Sequence, residues 1–359
     1  MRRRFLLSCL VMISIAAVAA AAKSSRVGAA QFSEWDPATL VNLNATVLDD
    51  GTHCPAAVNS AADDQHPFIS KDGLSLFFAS NRRGPDSEGH KGLGEYDLWV
   101  SQRDSLDDCW REPISLGPRI NTPFRDFSPA LTTDGHWLLF HSNRPGGCGG
   151  MDLYATHRRD KRDDFAWEPP INLDPYCTTL NGPADDAGPT FFEDDAAGIL
   201  YLYFTRNNKP GDMDSFDIWV STCAADLSAC LRDHVWAPAE PVVQLSSPVR
   251  DTRTAIGRRD GLEMIIDTNR PGGVGKKDLW VSNRATTSPF DPWSIPVDLA
   301  QINSASDDGG PALSWDGTEL YFYSKRTDLP GHIPGLSPSG DKTQNSDLYV
   351  VKRVKLRAE

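Results

Sequence analysis

Asp126-Phe-Ser-Pro129, Asp134-Gly135, Ser142-Asn-Arg-Pro-Gly-Gly147 and Asp152-Leu-Tyr154 follow one another in a single short stretch, and the same succession recurs along the chain. The opening element returns as Asp64-Gln-His-Pro67, Asp186-Ala-Gly-Pro189, Asp251-Thr-Arg-Thr254 and Asp308-Gly-Gly-Pro311, about 60 residues apart. The turn returns as Asp72-Gly73, Asp260-Gly261 and Asp316-Gly317, with an insertion after Glu193-Asp194 in the third copy. Asp-Gly between apolar runs marks a hairpin, because glycine reaches positive φ without steric cost. The polar cluster returns at Ser80-Asn-Arg82, Thr205-Arg-Asn207, Thr268-Asn-Arg270 and Ser324-Lys-Arg326, and a third strand opens at Asp97, Asp217, Asp278 and Asp347.

A fourth strand begins at Trp110, Trp167, Trp236 and Trp293, but the fifth copy ends without one. Residues 35–44, opening on Trp35-Asp-Pro, carry the missing pattern at the other end of the chain. Four short strands per copy without helical periodicity read as the blades of a β-propeller. The predicted fold is all-β, a five-bladed propeller of four-stranded blades over residues 32–356, closed by the N-terminal strand completing the last blade.

The repeat D-x-x-P, S-x-D-G, F-x-S-N-R-P-G-G, D-L-W resembles the TolB-type, or WD-like, propeller repeat, without the separate N-terminal domain and with five blades in place of six. This resemblance implies an exported, non-catalytic binding or scaffold protein of a bacterial envelope or periplasm, contacting a protein or glycan through its loop face. Five-bladed propellers also carry glycoside hydrolases that work with carboxylates at the central mouth. That alternative needs two carboxyl groups about 5 to 9.5 Å apart.

The formal net charge of −13 excludes nucleic acid as the main partner, since phosphates are neutralised by a basic face. Arg2, Arg3 and Arg4 followed by an apolar stretch ending in small residues read as a signal peptide over residues 1–22, then a linker over 23–31. An uncleaved anchor is the alternative reading of that stretch, and Cys9 lies too close to Arg4 for a clear lipidation signal. No later stretch is long and apolar enough to span a bilayer. The mature chain reads as a periplasmic or secreted monomer.

Six cysteines remain after residue 22. Cys223 and Cys230 share one connection between strands three and four and are predicted to pair. Cys148 and Cys177 are predicted to pair on the opposite face, and Cys54 and Cys109 are left unpaired because their strand positions fall on opposite faces.

A feature present in every blade most simply serves every blade. The opening acids Asp64, Asp126, Asp186, Asp251 and Asp308 therefore read as structural partners of the bases that end strand two. Function is better sought where one copy departs from the others. Before the strand-one proline stand His66, Ser128, Gly188, Arg253 and Gly310, and near the end of strand two stand Ala79, His141, Phe204, Asp267 and Tyr323. His66, His141, Arg253 and Asp267 are the ionisable exceptions, and they define the candidate ligand site at the mouth. The loops over 84–95 and 327–346 are the longest strand-two to strand-three connections and flank the closure. No cofactor is called for. Calcium held by Asp63-Asp64, Asp185-Asp186 or Asp307-Asp308 is a secondary expectation, although the spacing matches no dedicated calcium loop. No G-x-S-x-G, H-E-x-x-H or sialidase box is present, so no catalytic residue is assigned.

Overall fold

The computed structural model describes residues 32–41, 58–84, 92–209, 211–212, 214–288, 291–327 and 345–356. Strand β1 (Thr39–Leu40) precedes blade 1, which consists of β2 (Asp64–Ile69), β3 (Ser75–Ser80), β4 (Asp97–Gln102) and β5 (Ile114–Ser115). Blade 2 is β6 (Asp126–Leu131), β7 (Trp137–Ser142), β8 (Asp152–His157) and β9 (Ile171–Asn172). Blade 3 is β10 (Asp186–Asp194), β11 (Ile199–Asn207), β12 (Phe216–Cys223) and β13 (Glu240–Pro241), with the short helix α1 (Leu227–Arg232) before its last strand. Blade 4 is β14 (Asp251–Ile256), β15 (Glu263–Thr268), β16 (Asp278–Asn283) and β17 (Val297–Asp298). Blade 5 is β18 (Asp308–Leu313), β19 (Glu319–Ser324) and β20 (Asp347–Lys352), completed by β1. All pairings within the blades are antiparallel, and each inner strand packs on the inner strands of both neighbouring blades, so the ring is closed.

The repeated sequence elements account for this geometry. Asp126 Oδ1 accepts from Arg144 Nη2 at 2.5 Å while its Oδ2 accepts from the Thr122 N–H and hydroxyl at 2.6 and 2.8 Å. Arg144 reaches on to Ile120 O and lies over Phe140 and Tyr154. Equivalent pairs join Asp64 to Arg82, Asp186 to Arg206, Asp251 to Arg270 and Asp308 to Arg326. Each pair ties the start of an inner strand to the end of its neighbour, with the carboxylate fully buried. On the opposite face the hairpin turn of blade 4 meets the preceding blade. Gly261, at φ 68°, lies so close to the Phe192 ring of blade 3 that a Cβ would stand 2.3 Å from it.

Closure rests on the chain ends. Thr39 and Leu40 pair with Val350 and Tyr349. Arg353 stacks over Phe32 and Trp35, and its guanidinium holds both carboxylate oxygens of Glu263 in blade 4 at 2.8 and 2.5 Å. The outermost strands are only two residues long, which limits the edge available for pairing with another chain.

Cys148 is bonded to Cys177, and Cys223 to Cys230. Cys109, which the strand placement leaves unpaired, is disulfide-bonded as well, with a partner outside the described residues. The signal segment, the linker and most of the two long loops also lie outside them. No helix among the described residues is long and apolar enough to cross a membrane.

Candidate functional site at the mouth of the ring

The mouth lies where the inner strands begin, and its shape is set by a bulge in each of them. The register between first and second strands slips after Gln65, Phe127, Ala187, Asp251 and Gly309. In four blades a proline sits in this bulge and the preceding residue takes a left-handed backbone: His66 at φ 49°, Ser128 at 56°, Gly188 and Gly310 at 61°. A side chain in that region costs about 1–2 kcal/mol, so His66 and Ser128 are held there by their surroundings. The His66 Nδ1 and Ser128 Oγ are hydrogen-bonded at 2.8 Å.

Blade 4 breaks the pattern. Thr254 replaces the proline, and Arg253 sends its side chain across the channel. It donates from Nη1 to Pro189 O at 2.9 Å and Ser128 O at 3.2 Å, and from Nη2 to Pro129 O at 2.8 Å. Burial pulls its guanidinium down to about 10, so it remains charged at neutral pH, and its Nε is buried without a partner. At the other end of the channel Arg258, just beyond β14, donates to Ile69 O and Leu313 O at 2.9 and 3.0 Å. Two guanidinium groups from one blade thus close the axis, and any ligand at the mouth must sit above Arg253.

His141, Asp267 and His66 surround this plug. His141 Nδ1 accepts the Gly188 N–H at 3.1 Å, which places the ring proton of the neutral imidazole on Nε2. Asp267 occupies the equivalent position two blades on, and its Oδ2 accepts the Gly310 N–H at 2.7 Å. Its Oδ1 accepts from the Thr252 hydroxyl. Both side chains therefore satisfy the buried bulge amide of the following blade. Burial, reinforced by the neighbouring cations, lowers both histidines well below the ordinary imidazole value; for His66 the charges are chiefly Arg253 and Lys277, and for His141 Arg125 and Arg253. The structure brings all four sequence-selected residues into one cluster around Arg253. It buries His141, Arg253 and Asp267 in the wall and floor, and leaves only His66 partly exposed.

Other mouth residues emerge only from the structure. Lys277 Nζ stands 3.3 Å from Thr252 Oγ1 and 3.9 Å from Asp267 Oδ1. Tyr323 stacks on His66 with centroids 5.5 Å apart, and burial raises its hydroxyl well above its usual range, so it stays a donor. These groups press on Gly309, where a Cβ would lie 2.7 Å from Asp267 Oδ2, 2.8 Å from the Tyr323 hydroxyl and 2.9 Å from Lys277 Cδ. The residue before each opening acid forms a charged rim of Asp63, Arg125, Asp185, Arg250 and Asp307. Two further comparisons of aligned positions carry the signal for these residues: Tyr96, Met151, Phe216, Lys277 and Ser346 before the third strand, and the rim itself.

Among the described residues no group of three or more His, Cys, Asp or Glu side chains is placed to hold a metal ion. The second member of each acidic pair, Asp64, Asp186 or Asp308, is instead bonded to its blade arginine.

No protein-family profile matches the sequence, and no curated protein matches it. Solved structures do. An α-L-arabinofuranosidase from Lactobacillus brevis superposes with a TM-score of 0.53 at 14% identity, over 82% of this chain and 92% of that one. The α-L-arabinofuranosidase PaAbf62A from Podospora anserina, solved in complex with cellotriose, gives 0.50 at 10% identity over 90% and 97%. A xylan β-1,4-xylosidase from Bacillus halodurans C-125 gives 0.51 at 14% identity over 86% and 54%. At such identities the likeness concerns the fold. It corrects the expectation of a TolB-type, WD-like propeller, since the matching folds are propellers of glycoside hydrolases. The non-catalytic envelope scaffold rested on that resemblance and is set aside with it. The physical reason for the error is that blade-forming elements are dictated by strand, turn and ion-pair geometry, which unrelated propellers share.

Proposed function

We propose that this protein is an exported glycoside hydrolase of the five-bladed propeller type, acting on a glycan at the mouth above Arg253. The observation that carries this reading is a set of carboxylates at the mouth that the Asp–Arg pairs of the blades do not use: Asp267, which meets Tyr323 and Lys277 at Gly309, and the rim acids Asp63, Asp185 and Asp307. Glycoside cleavage needs one carboxyl group to protonate the leaving oxygen and a second to activate water or attack the sugar. Asp307, with a third of its side chain exposed and Lys325 Nζ 3.6 Å away, is the group a glycosidic oxygen can reach. Asp267 is fully buried with both oxygens engaged and serves as the fixed charge that orients Lys277, so the second carboxyl group is assigned to another acid of the rim, Asp63 or Asp185. His66 forms the solvent-reached part of the floor, with His141 and Arg253 beneath it. The pentoside-cleaving neighbours of like fold make arabinofuranosides and xylosides the first substrates to try, and the disulfides fit an oxidising compartment outside the cytoplasm.

The test is product release from nitrophenyl α-L-arabinofuranoside and β-D-xyloside, and from arabinan and xylan. Turnover that falls about 100-fold or more in Asp307→Asn, at an unchanged melting temperature, supports the reading. Turnover of none of these, or turnover indifferent to both Asp307→Asn and Asp267→Asn, overturns it.

A further inference from the structure

The mouth holds more positive charge than its own carboxylates can use. Arg250 forms no ion pair among the described residues, and its Nε is buried without a partner while the guanidinium rests over the Phe216 ring at 5.3 Å. Lys277 has one carboxylate within 4 Å, Asp267 at 3.9 Å, which already accepts from the Gly310 amide and the Thr252 hydroxyl, and Asp307 lies farther off. Lys325 is matched by Asp307. Arg253, charged and permanently below, adds to the field, so that His66 at the floor faces Arg253, Lys277 and Arg250 together. Across the sector of blades 4, 5 and 1, Arg250, Lys277 and Lys325, with Arg253 beneath, face Asp63, Asp267 and Asp307, an excess of one positive charge outside the Asp–Arg pairs of the blades. A neutral sugar gains little from such an excess, whereas a carboxylate accepts charge-assisted hydrogen bonds from both an ammonium and a guanidinium.

We propose that the glycan unit seated at the mouth carries a carboxylate, as a uronic acid does, and that Lys277 and Arg250 hold it. This rests on the glycan-directed reading of the same mouth and specifies its substrate class. The rim carboxylate Asp63 is held by neutral donors, the Tyr96 hydroxyl, the Asn81 amide and the Ser346 N–H and hydroxyl, which fix its oxygens without cancelling its charge.

Calorimetric titration with a xylo-oligosaccharide bearing one glucuronic acid branch, against the same chain unbranched, tests the inference. The branched probe should bind about 10-fold or more tightly at low ionic strength, with the advantage shrinking as salt is raised. Lys277→Met and Arg250→Gln, each checked for an intact melting transition, should each remove most of the difference between the probes. Equal affinity for the two probes, no binding of either, or an advantage that survives in both variants overturns the proposal. Binding of the branched chain without cleavage of any glycan defeats the hydrolase and leaves the uronate site standing. Cleavage without preference for charge does the reverse.

Discussion

Arg253 Nη2 donates to Pro129 O at 2.8 Å, joining the inner strand of blade 4 to that of blade 2 across the axis. With its bonds to Ser128 O and Pro189 O, one side chain satisfies three carbonyls that the proline-containing bulges turn into the channel. Replacing Arg253 by Met removes the donors and leaves the carbonyls buried and unpaired. The expected loss is roughly 3–5 kcal/mol in urea unfolding, with Arg253→Lys intermediate because an ammonium cannot span all three acceptors. A Met variant within about 1 kcal/mol of the native protein would contradict the assigned role.

The buried histidines make stability depend on pH in a defined direction. His141 titrates well below its ordinary value when folded but near 6.5 when unfolded. Below about pH 6.5 the unfolded chain binds the extra proton, so the stability linked to His141 is present above that pH and is lost as pH falls. The stability of the native protein relative to His141→Asn, whose Oδ1 can still accept the Gly188 amide, should fall by up to about 1.4 kcal/mol per pH unit below 6.5. Asp97, Asp186 and Asp278, raised to about 6 by burial, act oppositely between about pH 4 and 6, where the folded state holds more protons. Comparing the two proteins at each pH cancels that contribution, and a constant difference would refute the buried neutral His141.

The two bridges with known partners close loops of different length. Cys148–Cys177 spans 29 positions and Cys223–Cys230 spans 7. Loop-closure entropy assigns them about 3.7 and about 2.5 kcal/mol, so Cys148→Ala with Cys177→Ala should lower the denaturation midpoint further than Cys223→Ala with Cys230→Ala. The reverse order would show that the contacts of α1, which Cys230 anchors, outweigh chain entropy.

Closure of the ring depends on Arg353, which packs β1's neighbours Phe32 and Trp35 and binds Glu263 of blade 4. Arg353→Ala should cost roughly 3–5 kcal/mol, because it strands a largely buried carboxylate and loosens the terminal strand. Hydrogen exchange of the Leu40 and Val41 amides should quicken more than that of β6 amides in blade 2. Uniform exchange across the blades would place the effect elsewhere.

The blades themselves were legible in the chain because each is specified within one repeat. Asp-Gly sets its hairpin, the Asp–Arg pair ties its first two strands, and the third-strand Asp collects loop amides, as Asp97 does from Leu93 and Gly94. Comparing aligned positions likewise picked out His66, His141, Arg253 and Asp267. Their surroundings were not legible. Nothing local shows that Arg253 would answer carbonyls more than 60 residues away, or that His141 and Asp267 would each take up the bulge amide of the next blade.

The amino-acid sequence alone therefore determined the number of blades, their strand order and the use of the N-terminal strand to complete the last one, since strand pairing within a repeat and one swapped edge follow from short-range patterns. Only the tertiary structure decided which ionisable residues face solvent and which are consumed by the frame. That outcome depends on closing five wedges around an axis, where residues distant in the chain meet, backbone acceptors lose water, and a charged side chain is kept by whichever partner replaces that water.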